Sequence, residues 1–477
     1  MIDDAAEVDI EPGEFEAIEL DRPREWSPSI VLLSTSLAVF AVFLDTTVGF
    51  VTFPAINETF RSSGPSVVSW VLNAYTLVFA ALLIPAGRLA DRVGRRRMFL
   101  LGVVVFSLGS MLCGLAPSVG LLIGAEMLEA TGAAILVPAS LALVLQTFPR
   151  EKVPVAVAIW GAIGAAAGAF GPVLGALLVS NLSWRWAFYI NLPVGLFSLL
   201  LGRAVLPEGK EANPGRLPDP LGVVLLAGGV GLVTYALVET GSWGWGSGRF
   251  AATVVAGVGL VAVFLHRCGR VPAPVIHLGL FAIRNTRWAS AGMVVHAVGF
   301  NAMFLGNVLF LTRVWHYSIL RAGLAIAVGP LIVACTAPFL GKVAGRVGQR
   351  RLLIPGGILW AVGAALLVTR ATTTPHYLAV YLPAIICTAV GVALLLPQLS
   401  SAAVQGLPID QFGAGSAVVQ ALRYLGSTFG VALVVAFTTT SSADPMIGFH
   451  HAWLLLAACG LIVSALSTRL ATAPSRH

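Results

Sequence analysis

The sequence predicts an all-α polytopic membrane protein of fourteen spanning helices, two six-helix bundles plus two extra helices. Three observations carry that prediction. Hydrophobic residues make up 57% of the 477 positions and mean hydropathy is +0.89, above the roughly 45–50% apolar content of soluble domains. Nearly uncharged runs of about 18 residues or more recur along the chain, each long enough to cross a bilayer core of about 30 Å as a helix. A short basic turn, Gly87-Arg88-Leu89-Ala90-Asp91-Arg92-Val93-Gly94-Arg95-Arg96-Arg97, sits between two such runs and returns in weaker form at Gly341–Arg351. A chain that is only 11% charged has few places for such a turn, so its recurrence suggests a structure folded twice across the membrane.

Residues 1–27 come first and carry ten carboxylates: Asp3, Asp4, Glu7, Asp9, Glu11, Glu14, Glu16, Glu19, Asp21 and Glu25. The stretch lacks an apolar core, the reverse of a cleavable signal peptide, and reads as a disordered cytosolic tail. The spans are expected near 29–51, 67–88, 98–116, 119–146, 154–179, 185–205, 219–239, 251–267, 288–312, 322–344, 352–370, 377–400, 413–437 and 450–470. The expected organisation is an N-terminal bundle over 28–205, a linker with two inserted helices over 206–287, a C-terminal bundle over 288–470 and a cytosolic tail at 471–477. Placing the N-terminus in the cytoplasm puts most of the 29 Lys/Arg in or beside cytoplasmic segments. The positive-inside rule therefore predicts both termini inside. The five cysteines have no metal-ligand or CxxC spacing and read as small packing residues.

The repeat extends past the basic turn. Gly132-Ala133-Ala134-Ile135-Leu136-Val137-Pro138 in span 4 is echoed by Gly391-Val392-Ala393-Leu394-Leu395-Leu396-Pro397 in span 12. Two halves of like orientation fit these offsets, an arrangement that places a site at the interface of the halves. Spans 7 and 8 have no echo and look like an insertion.

An ionisable group at bilayer depth is costly and marks function by default. Clear of the span ends lie Asp45 in span 1, Glu126 and Glu129 in span 4, His296 in span 9 and Arg423 in span 13. At a rise of about 1.5 Å per residue, Asp45 and Glu126 reach similar depths from the outer side. Glu129 shares the helix face of Glu126 at i+3, and Arg423 comes close to the midplane. The functional reading is a proton- or cation-handling cluster in a central cavity, because buried and mutually repelling carboxylates exchange protons near neutral pH. The plainer alternative is a static network in which Arg423 neutralises one carboxylate. Span 5 adds a run of small residues with Gly164/Gly168 and Gly171/Gly175 as GxxxG pairs, which let helix backbones approach closely. Pro172 among them removes a backbone donor and favours a kink.

These residues resemble the major facilitator superfamily, and within it the fourteen-span drug:proton antiporters. Gly87, Asp91, Arg92, Gly94, Arg95 and Arg96 match the loop 2–3 signature, and Gly171, Pro172 and Gly175 look like the core of the span-5 antiporter motif. Leu44-Asp45-Thr46-Thr47 with Pro54 resembles the span-1 motif. Trp70, Tyr75, Trp184-Arg185-Trp186, Asn191-Leu192-Pro193, Asp219, and Arg423 with Gly426 and Gly430 are similar to the same group. The resemblance implies the major facilitator fold and proton-coupled export by alternating access. It makes Asp45 a candidate for protonation, the span-5 motif a link to antiport, and Asp91 with its arginines a gate latch. Four motifs depart from the pattern. Glu126, Glu129 and Ala130 stand where span 4 usually has an arginine, a glutamine and a glycine, which reverses the local charge near Asp45. Phe50 replaces the asparagine expected five residues after Asp45, Gly168 comes one place late, and Gly345 replaces the aspartate in the second basic turn.

The expected function is a proton-coupled secondary exporter of small amphipathic molecules. A cavity holding three carboxylates and one arginine would lean toward cationic or neutral substrates. A dedicated exporter of an endogenous metabolite, lipid or antibiotic is the neighbouring alternative, and a non-transporting sensor or scaffold is the alternative from another class. No nucleotide loop, metal-ligand cluster or nucleophile–base constellation is visible, so the sequence points to no enzyme, no cofactor and no nucleic-acid partner. The expected setting is a monomer in a bacterial inner membrane.

Overall fold

The computed structural model describes residues 27–149, 151–210, 216–408, 411–440 and 444–471. The acidic tail, apart from Ser27, and residues 472–477 lie outside them. Among the described residues there are fourteen helices long and apolar enough to span a membrane. The main helix of each, in chain order, is α1 (Pro28–Thr59), α2 (Trp70–Val93), α3 (Arg95–Leu115), α4 (Val119–Thr147), α5 (Val153–Asn181), α6 (Asn191–Val205, within a span that starts at Trp186), α7 (Pro220–Val238), α8 (Gly248–Cys268), α9 (Arg284–Arg313), α10 (Ile319–Val347), α11 (Arg350–Arg370), α12 (Leu382–Val404), α13 (Phe412–Thr440) and α14 (Pro445–Ser467). No strand occurs among the described residues. In lipid a backbone must satisfy its own hydrogen bonds, which leaves the helix as the default solution for uninterrupted apolar runs.

One boundary differs from the sequence expectation in an instructive way. Helix α1 does not stop before Pro54 but continues to Thr59 with the proline inside it. Helix α5 runs through Pro172, within the expected span. A proline costs a helix one donor and some crowding, and flanking helices can absorb both.

The close packing within each half follows the repeat. In the first half, Gly102 and Gly109 of α3 face Leu136 and Glu129 of α4, and Gly132 of α4 faces the backbone at Phe106. In the second, Gly356 and Gly363 of α11 face Leu394 and Thr388 of α12, and Gly391 of α12 faces Trp360. At Gly109 a Cβ would lie only 2.5 Å from the backbone nitrogen of Glu129, so the helices touch backbone to backbone. Small-residue contact of this kind replaces the hydrophobic drive that lipid cannot supply. Both basic turns pivot on a glycine with positive φ, Gly94 at +130° and Gly348 at +86°, a backbone region open to glycine at little cost.

The halves meet along three seams. Phe50 of α1 lies 5.1 Å from Phe304 of α9 between ring centroids. Phe79 of α2 is 4.3 Å from Tyr424 of α13, and Thr76 and Thr428 share a hydrogen bond of 2.9 Å. Gly323 of α10 rests against Pro172 and Ala176 of α5. Residues 172–176, 50 and 304 all lie in the parts of their helices remote from the basic turns.

Helices α7 and α8 form a hairpin, with α7 against α2 and α13 and α8 against α7. Asp219 closes its mouth. Its carboxylate accepts from the Gly222 amide at 3.0 Å and from Arg267 Nη2 at 3.0 Å and Nε. The hydrogen bond from Arg267 holds the carboxyl below its ordinary value of 3.8. Because the folded value is depressed, the tether contributes fully above about pH 4 and is lost as pH falls through the depressed value. Amide exchange in the first turns of α7 and the last turns of α8 should therefore rise in Asp219→Asn at pH 7, and in the unaltered protein only below about pH 4.

Candidate coupling site and central cavity

The five intramembrane ionisable residues separate into two groups. Asp45, Glu126 and Glu129 come together inside the N-terminal bundle, all buried. One carboxylate oxygen from each lies within 4.8 Å of the others. Asp45 comes from α1 and the two glutamates from one face of α4, as their i, i+3 spacing requires. Gly109 lets α3 approach α4 at Glu129.

Asn191, in the first turn of α6, holds the cluster. Its Nδ2 lies 3.0 Å from Asp45 Oδ1, 3.0 Å from Ser110 Oγ and 3.4 Å from Glu129 Oε1. Ser110 in turn donates to the Phe188 carbonyl at 2.9 Å, next to the tryptophan-rich turn. That turn is fixed at the ends of other helices: Trp184 Nε1 donates to Thr59 Oγ1 at 3.0 Å and Arg185 Nη2 to the Ala116 carbonyl at 3.2 Å. In the sequence Asn191 stands out only as part of the Asn191-Leu192-Pro193 motif, and nothing local places it at the site. Its signal was available as an uncharged polar residue opening an apolar span.

No Lys or Arg lies within 4 Å of these carboxylates among the described residues. Three carboxylates in one buried pocket repel one another strongly, and protons or a hard cation relieve that repulsion. The sequence reading named no metal-ligand cluster because Asp45 and Glu126 are far apart in the chain. The fold places their oxygens close enough that the trio can hold a cation. Beside Asp45 and Glu126 is a pocket of about 20 Å³, room for about one water molecule.

His296 and Arg423 belong to a different space. A cavity of about 550 Å³ lies between the halves, lined by both halves from Trp160, Ser400 and Ser416 near the basic-turn ends to Phe50 and Phe304. Among the described lining residues Arg423 is the one with a formal charge, and Asp45, Glu126 and Glu129 are not among them. The expected central cavity with three carboxylates and an arginine is therefore corrected. Asp45 points away from the face of α1 that carries Phe43, Thr46, Thr47 and Phe50 to the cavity, because the helical twist sends neighbouring residues to different sides. Nor does Arg423 neutralise a carboxylate: none lies within 4 Å of it among the described residues. Its guanidinium sits 5.1 Å from the Tyr424 ring centroid. His296 packs 4.9 Å from Trp360, and both its ring nitrogens are buried without a hydrogen-bond partner. Thr46 and Phe50 line both the cavity and the small pocket at the carboxylates, so one turn of α1 is the wall between them.

The two conspicuous motifs frame this wall. Gly171 faces Thr47, and a Cβ added at Gly175 or Gly164 would lie only 3.0 Å from Val48 or 2.9 Å from Phe43, so α5 packs on α1 beside Asp45. Pro172 presents its carbonyl to Gly323 of α10. In the first basic turn Arg95 pairs with Asp91 at 3.0 Å and donates to Gln146 Oε1 of α4 at 3.0 Å. Arg96 donates to the Arg203 carbonyl at 2.7 Å and Arg97 lies 3.5 Å from Glu208. Gly87 packs on Pro138. These partners all belong to the first half or the segment just after it, while Arg92 is exposed.

Comparison with known proteins agrees with this architecture. The family model described as Major Facilitator Superfamily matches residues 35–431 and also 289–476. Multidrug resistance protein Stp of Mycobacterium tuberculosis is 34% identical over 87% of this chain and 77% of its own length. Puromycin resistance protein pur8 of Streptomyces alboniger is 34% identical over 91% and 85%, and multidrug efflux pump LfrA of Mycolicibacterium smegmatis is 31% identical over 86% and 80%. Among solved structures, a D-xylose-proton symporter superposes with a TM-score of 0.67 at 16% identity over 94% of this chain and 98% of that one, a likeness of fold.

Proposed function

The chain belongs to the Major Facilitator Superfamily, and we propose that it is a proton-coupled exporter of small amphipathic molecules, working by alternating access in a bacterial cell membrane with both termini in the cytoplasm. The observation that carries this reading is the pair of compartments separated by one turn of α1. Carboxylates that take up protons lie behind it, and an aromatic-lined cavity lies in front. Proton binding relieves repulsion among Asp45, Glu126 and Glu129 and so changes the forces on α1 and α4. Because Thr46, Thr47 and Phe50 are on the same turns, a shift of α1 reaches the cavity wall and the Phe50–Phe304 seam. Packed glycines at Gly171 and Gly175 favour two discrete helix arrangements over gradual deformation. The loop latch at Asp91 and Arg95 stiffens the ends of α2, α3 and α4 during that exchange. The names of the bacterial relatives, resistance and efflux proteins, support the outward direction.

The test is transport by the purified chain in proteoliposomes under an imposed pH gradient, screened over anionic, cationic and neutral fluorescent aromatics. Gradient-dependent movement of at least one, with proton flow in the opposite direction, is expected. Movement driven by a sodium gradient at clamped pH would assign the carboxylates to a metal cation instead. Absence of any coupled flux would favour a sensor that has kept the fold.

A further inference from the structure

We propose that the central cavity carries an anion-accepting subsite, formed by Arg423, so that the preferred cargo is an aromatic or alicyclic body bearing a carboxylate, sulfonate or ionised phenol. This rests on the export reading for its purpose but not for its geometry. Arg423 is half-buried on α13 and is the one formal charge among the described residues lining the cavity. No acid lies within 4 Å of it among the described residues. On facing turns of α9, His296 is buried to 1% exposure and both its ring nitrogens lack a partner. An unpaired guanidinium that is only half-buried in a cavity wall is satisfied by an anion that enters the cavity. The opposite wall is apolar and aromatic, with Phe43, Phe50 and Trp160, so the two walls together ask for an amphipathic molecule with one acidic end.

Occlusion gives the arginine a second use. Closing an empty cavity would strip water from an unpaired guanidinium, at a cost of several kcal/mol. An anionic cargo pairs with it through charge-assisted hydrogen bonds and removes most of that cost. The loaded carrier therefore closes more readily than the empty one. Moving an anion out while protons move in also shifts charge in the direction favoured by an inside-negative potential.

A series of three probes with one aromatic body decides the matter: pyrenebutyrate, pyrenebutanol and a pyrenebutyl trimethylammonium salt. Binding to the full chain in nanodiscs is measured at fixed pH without any gradient, so it is independent of coupling. The unaltered protein should bind the carboxylate at least about ten-fold more tightly than the alcohol and the ammonium. In Arg423→Gln the carboxylate-to-alcohol ratio should collapse to about one, and Arg423→Lys, which keeps the charge, should retain an intermediate ratio. Preference for the ammonium, equal binding of all three by the unaltered protein, or failure of all three to bind would overturn the subsite. Discriminating binding without gradient-driven transport would leave the subsite standing and remove the export reading. Gradient-driven transport without discrimination would do the reverse.

Discussion

Replacing Asp45 by asparagine is expected to abolish gradient-driven export, lowering the initial rate by about 100-fold or more. The physical reason is that the carboxylates act as a unit of three oxygens within 4.8 Å, and titration of one is felt by the others. Asparagine keeps the volume and the hydrogen bond with Asn191 but cannot exchange a proton. Antiport requires that proton and cargo binding oppose one another, and linkage makes that opposition reciprocal. Cargo affinity measured without a gradient should therefore weaken in the unaltered protein as pH is lowered from 8 to 5.5. In Asp45→Asn combined with Glu126→Gln and Glu129→Gln it should be flat over that range. The binding assay in nanodiscs reads this directly, since it needs no gradient. A triple variant with normal pH dependence would place the coupling elsewhere.

The second large effect is expected at Gly109. A side chain there meets the backbone nitrogen of Glu129 at 2.5 Å and its Cα at 2.6 Å, atoms that cannot rotate away. Gly109→Leu must part α3 from α4, with an overpacking cost of about 1–3 kcal/mol and displacement of Glu129 from its partners. Both a lower thermal midpoint and a lost pH response are expected. The repeat supplies the control. Gly363 of α11 meets Thr388 of α12 in the same way, with a Cβ at 2.6 Å from Thr388 Cγ2 and 2.7 Å from the Ala384 carbonyl. Gly363→Leu should lower the midpoint by a similar amount, while the protein that remains folded keeps its pH-dependent cargo binding. Equal loss of pH response in both would show that any helix separation suffices and that Glu129 has no special part.

The fourteen spans and the internal duplication were legible because each rests on local or periodic information. Length and apolarity define a span without reference to its neighbours. The glycines of spans 3, 4, 11 and 12 recur at matching offsets because both halves must solve the same close-packing problem. The similar depth of Asp45 and Glu126 followed from counting rise per residue from the outer face, where span 1 ends and span 4 begins. What counting along the axis does not supply is rotation about it. Whether Asp45 faces the interior of its own bundle or the cavity depends on a turn of roughly 100° per residue and on which helix packs against which face. That ambiguity is why the sequence places the carboxylates in the cavity and leans from them toward cationic or neutral substrates.

The sequence by itself determined that this chain crosses a membrane, that it is two copies of one plan with a helical hairpin between them, and that acids and a base lie at bilayer depth. Those properties follow from hydropathy, spacing and the cost of buried charge, all of which are carried by residue identity. Only the tertiary structure decided that the acids sit together behind α1 while Arg423 and His296 stand alone in the cavity. Packing fixes the azimuth of each helix, and azimuth separates the carboxylate cluster from the central cavity on the same turn.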